Sequence, residues 1–139
     1  MTKISILIVE DEAIVAKWIQ KHLISVGYPV VGSVATGIEA LELAGQNHPD
    51  IILLDIRLKG TMDGIEVAHT IRNRFRIPVI FMTAFADVTT IERANETDPY
   101  GYLIKPFDKK SLFSAIESAW GRIELEKTGA YVSSSDGSY

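Results

Sequence analysis

Near the start of the chain lies the stretch Ile6–Glu12, ILIVEDE, in which four aliphatic residues run directly into three acids. The apolar run, which begins at Ile4 and ends at Val9, is typical of a strand that is buried on both faces. An amphipathic helix is predicted from Glu12 to Val26, and Gly27 ends it. The chain therefore opens with a buried strand that passes directly into a helix.

The same alternation continues along the chain. Further strands are predicted at Pro29–Val34, Ile51–Leu54, Pro78–Met82 and Gly101–Ile104. Helices are predicted from the cap Thr36 to Gln46, over Ile65–Phe75, over Val88–Asn95, and after a cap at Asp108 or Ser111. Five strands that alternate with five helices indicate an α/β fold with one doubly wound parallel sheet, covered on both faces.

Particular residues predict the position of the second strand, the buried face of the second helix and the mobility of the fourth helix. Pro29 favours an edge position for the second strand, because proline has no N–H to donate to a neighbouring strand. The periodicity of the second helix turns Ile38, Leu41 and Leu43 toward the core. The helix Val88–Asn95 has the thinnest apolar stripe, so we expect it to shift most easily.

Composition limits the classes of protein. The 139 residues carry a net charge of −4 and no cysteine, which excludes disulfide scaffolds, thiolate zinc sites and cysteine nucleophiles. The acidic balance argues weakly against direct DNA binding. The chain has no apolar run of about 18 residues and no signal-peptide pattern, so we expect a cytoplasmic location without membrane insertion. We expect one domain over residues 1–122, and the end of the last helix with a disordered tail over 123–139.

Polar side chains stand where four of the predicted strands end. They are the acids Glu10 and Asp11, the acid Asp55, the hydroxyl of Thr83 and the cation Lys105. In an open parallel sheet, ligands bind at the carboxyl ends of the strands. These residues are therefore expected to meet in one cleft.

Three carboxylates in one cleft repel one another, and a divalent cation relieves that repulsion. Mg²⁺ prefers oxygen ligands and accepts one or two carboxylates together with a phosphate oxygen. A carboxylate beside such an ion can act as a nucleophile toward phosphorus, and Asp55 stands alone between the other groups. Lys105 and Thr83 would stabilise the charge on the transferring phosphoryl group.

Each residue also has an ordinary structural interpretation. Asp11 would usually be a helix cap, and Asp55 a turn residue. Thr83 suits any strand, and Lys105 would usually be a solvated lysine. Each of these interpretations is favoured in isolation. Together they are not, because chance would have to place all of these groups at the same edge of one sheet.

At this point the sequence closely resembles the receiver domain of two-component response regulators, of the single-domain chemotaxis-receiver type. Five segments carry the resemblance in order: Ile6–Glu12, Asp50–Ile56, Met62–Glu66, Val79–Ala84 and Gly101–Phe107. Each segment is weak alone, and the five at this spacing are highly specific. The resemblance implies a flavodoxin-like sheet with strand order 2-1-3-4-5.

The resemblance also implies a chemistry. Asp55 would accept a phosphoryl group from a histidine kinase or a phosphotransfer protein. Glu10, Asp11, Asp55 and the backbone carbonyl of Arg57 would hold Mg²⁺, with Glu10 standing where the family more often has Asp. Thr83 and Lys105 would contact the phosphoryl oxygens, and the Lys105–Pro106 bond would be cis.

Phosphorylation would then change a surface formed by helix 4, strand 5 and helix 5. Tyr102 resembles the family's switch aromatic, and a downstream protein target would bind the changed surface. Arg57 and Phe85 lie two positions after Asp55 and Thr83, where bulky residues imply slow self-dephosphorylation. Such a chain is a signalling module that catalyses only its own phosphorylation and dephosphorylation.

Three alternatives stay open. A Mg²⁺-dependent phosphatase with an aspartyl intermediate would usually carry its nucleophile on the first strand, not at Asp55 on the third. A binding module that works without phosphorylation would not need the complete set of polar residues. The chain can also be the receiver fragment of a longer hybrid kinase or multidomain regulator. From its length we expect it to act by docking or by relaying phosphate, not by binding DNA.

Overall fold

The computed structural model describes residues 4–84 and 87–129. The strands are β1 (Ile6–Val9), β2 (Val30–Val34), β3 (Ile51–Asp55), β4 (Val79–Thr83) and β5 (Gly101–Ile104). The helices are α1 (Ala13–Ser25), α2 (Gly37–Asn47), α3 (Gly64–Arg74), α4 (Val88–Asn95) and α5 (Lys109–Thr128). All strands are parallel, in the order β2-β1-β3-β4-β5, which confirms the predicted fold and the edge position of β2.

The central strands are buried on both faces, as continuous apolar runs require. In β3, Ile52 and Leu54 pack into one core cluster with α2 and α3. Ile51 and Leu53 point the other way, into a second cluster with α1 and α5. The sheet is thus covered by helices on both sides, and its carboxyl edge is left open for other groups.

The helix boundaries agree with the sequence pattern to within a few residues, and the last helix is capped by Asp108 rather than Ser111. Of the three α2 residues that were predicted to face the core, Ile38 was predicted wrongly. Ile38 is 57% exposed, because the buried face of α2 follows Gly37, Ala40 and Ala44. Since each helical residue turns by about 100°, Ile38 lies well to the side of that face.

The last helix ends at Thr128 and is closed by Gly129 in the left-handed conformation. The tail predicted beyond it falls on residues 130–139, outside the described residues. Within the described part of the chain, no helix combines the length and apolar character needed to cross a membrane.

Candidate functional site

Four strand ends bring the predicted polar residues to one edge of the sheet. Asp55 and Thr83 are the last residues of β3 and β4, while Glu10 and Lys105 directly follow β1 and β5. Glu10 is 2% exposed, Asp55 5% and Thr83 1%. Polar groups this deeply buried need partners, since leaving them unpaired is costly.

Lys105 lies at the centre of the site. Its ammonium donates a hydrogen bond to Asp55 Oδ2 at 2.8 Å, forms an ion pair with Glu10 Oε1, and lies 3.6 Å from Glu12 Oε1. Its backbone N–H donates to the Thr83 carbonyl at 2.8 Å. The side chain is only 11% exposed. Lys105 is therefore not a solvated surface lysine but a buried counter-ion for the acids.

Backbone amides orient each carboxylate of the site. The N–H of Arg57 donates to Asp55 Oδ1 at 2.9 Å, and the N–H of Glu12 donates to Glu10 Oε2 at 3.0 Å. The N–H of Lys59 donates to Asp11 Oδ2 at 3.2 Å. The loops that follow β1 and β3 are thus folded around the acids, and one oxygen of each acid is held by the main chain.

The start of α3 lies directly against the end of β3. The Gly64 N–H donates to the Ile56 carbonyl at 2.8 Å, and a Cβ on Gly64 would lie 2.0 Å from the Asp55 carbonyl oxygen. Asp63 and Glu66 form a reciprocal capping box that begins the helix at this point. Only glycine permits so close an approach, so this position helps to set where the Asp55 main chain lies.

The pKa values of Glu10 and Lys105 are both raised, for different physical reasons. Burial raises the pKa of the Glu10 carboxyl to about 7, although the Lys105 ammonium and the Glu12 amide oppose the shift. Burial lowers the pKa of Lys105, but its hydrogen bonds to Asp55 and Glu10 outweigh that effect and raise it overall. One ammonium thus faces several carboxylates, and the site is short of positive charge.

The acids fit a divalent metal ion. Carboxylate oxygens of Glu10, Asp11 and Asp55 all lie within 4.8 Å of one another. Hard oxygen donors at this separation suit Mg²⁺, which keeps several water ligands and needs only a few protein ligands. A dication would also supply the positive charge that Lys105 alone does not.

The structure brings Glu10, Asp11, Asp55 and Lys105 into one cluster, with Thr83 at the neighbouring strand end. Arg57, expected to offer its carbonyl to a metal, contacts Asp55 through its N–H. The Lys105–Pro106 peptide bond is cis. Phe85 lies outside the described residues.

Tyr102 lies apart from this cluster. Its ring stacks on Phe81, with centroids 5.8 Å apart, and its hydroxyl donates to Asn95 Oδ1 at 2.5 Å. The side chain therefore connects β5 to the end of α4.

Sequence reasoning missed two members of the site. Glu12 was assigned only to the start of a helix, yet its carboxylate is the third acid near Lys105. Its position two residues after Glu10 was the signal, because a loop after a strand can return side chains two apart to the same side. Lys59 takes part through its backbone N–H, for which the residue type carries no signal.

An apolar groove opens beside the acidic cluster. Its apolar lining includes Ile14, Val15 and Trp18 of α1, and the other lining residues are Glu12, Ala84, Lys105, Pro106 and Phe107. Its volume is about 490 Å³, and Ile14 is 84% exposed at its rim. A single exposed isoleucine is ordinary, but several apolar side chains together next to a polar site indicate a surface for contact.

Comparison with known proteins agrees with this geometry. The sequence pattern of the family described as "Response regulator receiver domain" matches residues 6–117. The transcriptional regulatory protein PdtaR of Mycobacterium tuberculosis is 37% identical over 117 residues, covering 84% of this chain and 57% of that protein. The regulatory protein AtoC of Escherichia coli is 38% identical over 121 residues, covering 86% of this chain and 26% of that protein.

Solved structures of receiver domains also resemble this chain. The signal receiver domain of a modulated diguanylate cyclase from Desulfovibrio desulfuricans superposes with a TM-score of 0.85 at 39% identity, over 90% of this chain and 99% of that one. A CheY-like receiver domain protein from Methanospirillum hungatei superposes with a TM-score of 0.83 at 25% identity, over 90% of this chain and 99% of that one. The chain spans about half the length of the first curated relatives it matches, or slightly more. The family match over residues 6–117 shows that this chain belongs to the response regulator receiver domain family.

Proposed function

We propose that the chain accepts a phosphoryl group on Asp55 from a histidine kinase or a phosphotransfer protein and passes the signal on by changing its surface. Mg²⁺ would be held by Glu10, Asp11, Asp55 and the carbonyl of Arg57. When bound, it would neutralise charge on the phosphoryl oxygens. We place the reaction in the cytoplasm, where a kinase has ATP available.

The observation that carries this proposal is the setting of Asp55. Its carboxylate is buried, one oxygen is fixed by the Arg57 N–H, and the other is bonded to the Lys105 ammonium. A nucleophile needs such orientation, and the ammonium remains in place to stabilise the added charge. In the transfer, an Asp55 oxygen forms a bond to phosphorus while the bond from phosphorus to the donor nitrogen breaks. The nitrogen keeps that electron pair.

Labelling with acetyl phosphate and Mg²⁺ tests the proposal. The wild type should acquire an acid-labile phosphoryl group, and Asp55→Asn should acquire none. Asp108→Asn is the matched control, because it makes the same exchange at an exposed helix cap that asparagine serves equally well. Undiminished labelling of Asp55→Asn would refute the assignment.

The same assay separates the other candidate functions. A phosphatase would release phosphate from a small phosphomonoester over many turnovers, whereas the proposed module stops at one phosphoryl group per chain. A binding module that works without phosphorylation would show no labelling of the wild type. The buried Lys105–Asp55 pair favours the phosphoacceptor over both.

We further propose that the donor protein docks on the apolar groove beside Lys105. The donor's phosphohistidine must reach Asp55, so its docking surface has to adjoin the site, and this groove does. Ile14→Ala should slow transfer from a phosphorylated kinase by about tenfold, because it removes an exposed apolar contact. It should not change labelling by acetyl phosphate, which is too small to need the groove.

Ile24→Ala is the control for Ile14→Ala. It removes the same side chain from the same helix, at a residue that is 55% exposed and does not line the groove. Equal slowing by both variants would contradict docking at the groove.

A further inference from the structure

Three of the six arginines of this chain lie within five residues, at the end of α3 and in the loop before β4. They are Arg72, Arg74 and Arg76. Basic side chains in the last turn of a helix ordinarily compensate the negative end of its dipole, and Arg72 and Arg74 lie in that turn. Arg76 lies beyond the helix, so the dipole does not explain its presence.

The main chain of Arg76 is in the left-handed conformation, with a φ of 56°. A residue with a Cβ is strained there, and glycine or asparagine usually takes this place after a helix. Two other non-glycine residues in the described part of the chain share the conformation, His48 with a φ of 44° and Asp98 with a φ of 53°. The three residues lie in the loops that lead into β3, β4 and β5, which are adjacent in the sheet. Strain that is kept at three adjacent loops indicates a use for the side chains there.

A cavity of about 410 Å³ opens at this amino edge of the sheet, the edge opposite to the acidic cluster. Its lining includes Arg72 and Arg76, and also the apolar residues Ile77, Pro78 and Val79. Because Ile77 and Val79 are buried, this apolar part of the lining is held in place by the core. A concave site of this volume accommodates a small organic molecule.

The charges around the cavity are unequally paired. The acid in its lining, Asp98, accepts hydrogen bonds from Arg122 Nη2 at both carboxylate oxygens, each at 3.2 Å. Within residues 4–84 and 87–129, Arg72 donates through Nη1 to the Glu96 carbonyl at 3.0 Å, and the Arg76 side chain has no hydrogen bond or ion pair. The cavity therefore presents two guanidinium groups whose charge is not matched by an acid of its lining.

This arrangement is complementary to a phosphate group. A guanidinium binds phosphate oxygens through two parallel N–H···O bonds, and two guanidinium groups match the double negative charge of a phosphate monoester. The negative end of α4 does not cancel this attraction, because Arg72 already bonds the carbonyl of Glu96, the residue that ends the helix. The apolar lining beside the arginines suits the organic part of such a ligand.

We propose that this cavity is a binding site for a small organic phosphate, separate from the site around Asp55. The two sites lie at opposite ends of β4, whose five residues span about 16 Å, so a phosphate bound at Arg76 would not contact Asp55. The proposal therefore stands or falls independently of phosphoryl transfer.

Calorimetric titration of the full chain without Mg²⁺ tests the proposal, with phenyl phosphate as the probe. The wild type should bind one phenyl phosphate with a Kd of about 1 mM or lower. Inorganic phosphate should bind about fivefold more weakly, because it has no apolar part to cover Ile77 and Pro78. Asp55→Asn should bind phenyl phosphate as the wild type does.

Arg76→Gly is the central variant. Glycine adopts the left-handed conformation without strain, so this variant should be at least as stable as the wild type in urea unfolding. Its binding of phenyl phosphate should nevertheless weaken about tenfold, because a guanidinium is lost. Arg72→Ala should weaken binding by a similar factor.

Arg74→Ala is the matched control. It removes the same charge two residues away, but the Arg74 guanidinium lies 5.2 Å from the Phe75 ring centroid and does not line the cavity. Binding should therefore change by less than about twofold, since exposed charges act weakly at a distance. Failure of the wild type to bind phenyl phosphate would overturn the proposal. So would equal weakening by Arg74→Ala and Arg76→Gly, or tighter binding by Asp55→Asn, which would place the probe at the acidic cluster.

Discussion

Replacing Gly64 by alanine tests how closely α3 must approach the phosphoacceptor strand. The added Cβ would lie 2.0 Å from the Asp55 carbonyl oxygen and 2.8 Å from the Ile56 Cα, and both are main-chain atoms that cannot rotate away. Ordinary contact begins near 3.4 Å, so helix and strand must separate by more than an ångström. That separation also breaks the Gly64 N–H bond to the Ile56 carbonyl, which is 2.8 Å long.

The cost can be estimated from these two effects. Overpacking costs about 1–3 kcal/mol and a lost hydrogen bond about 1 kcal/mol, so Gly64→Ala should lower the free energy of unfolding by about 2–4 kcal/mol. In a domain of this size, that corresponds to a fall in Tm of about 10 °C. Labelling by acetyl phosphate should slow as well, because the Asp55 main chain has to move.

Gly121→Ala provides the matched control. Gly121 lies inside α5, and a Cβ there would meet no atom within 4 Å. Alanine is the better helix former by about 1 kcal/mol, so this variant should be more stable than the wild type. Urea unfolding of both variants decides the question. A loss below about 0.5 kcal/mol for Gly64→Ala, or a change of the same sign in both, would refute the packing argument.

Two further predictions concern charge. The pKa of Glu10 is raised from its ordinary value of 4.5 to about 7 in the folded protein, because its carboxyl is buried. The folded state therefore binds the proton more tightly than the unfolded state does. The metal-free protein should accordingly lose stability as the pH rises from about 4.5 to 7. Urea unfolding measures this pH dependence as a change in the free energy of unfolding of up to about 3 kcal/mol between about pH 5 and pH 8. Glu10→Gln should remove most of this change. A pH dependence that is the same in Glu10→Gln and the wild type would contradict its origin in Glu10. Arg122→Ala should lower the free energy of unfolding by about 2 kcal/mol, because it removes both the bonds to Asp98 and the stacking on Tyr100. Arg122→Lys should recover little of this loss, since an ammonium cannot reproduce the planar fork, and full recovery would show that charge alone matters.

The strands of the sheet could be predicted because each one is recognisable from the types of its own residues. Apolar runs such as Ile51–Leu54 have no polar side, so their burial on both faces could be read directly. The clustering of the polar residues at the strand ends could also be predicted, since the carboxyl ends of parallel strands share one edge of the sheet. The order of the strands came from the resemblance, because periodicity does not say which strands are neighbours.

Features that depend on distances between elements could not be predicted. Ile38 fits the apolar pattern of α2, yet the helix packs through its small residues Gly37, Ala40 and Ala44. Gly64 resembles any glycine at a loop, and only the assembled fold shows the carbonyl oxygen against it. The contacts that α4 and the residue after it make with Asp63, Arg72 and Tyr102 join groups that are 7 to 30 residues apart, and such pairing leaves no local pattern.

The hydrogen bond from the Lys59 N–H to Asp11 closes the loop between β3 and α3 onto a residue 48 positions earlier. The same carboxylate is one of those placed to hold a cation. Under the proposed function, the order of this loop and the binding of the cation are linked, because both involve the Asp11 carboxylate. Lengthening the loop beside Gly60 raises the entropy lost on closure. Cation affinity in this protein should accordingly depend on the length of a segment whose side chains include none of the proposed carboxylate ligands.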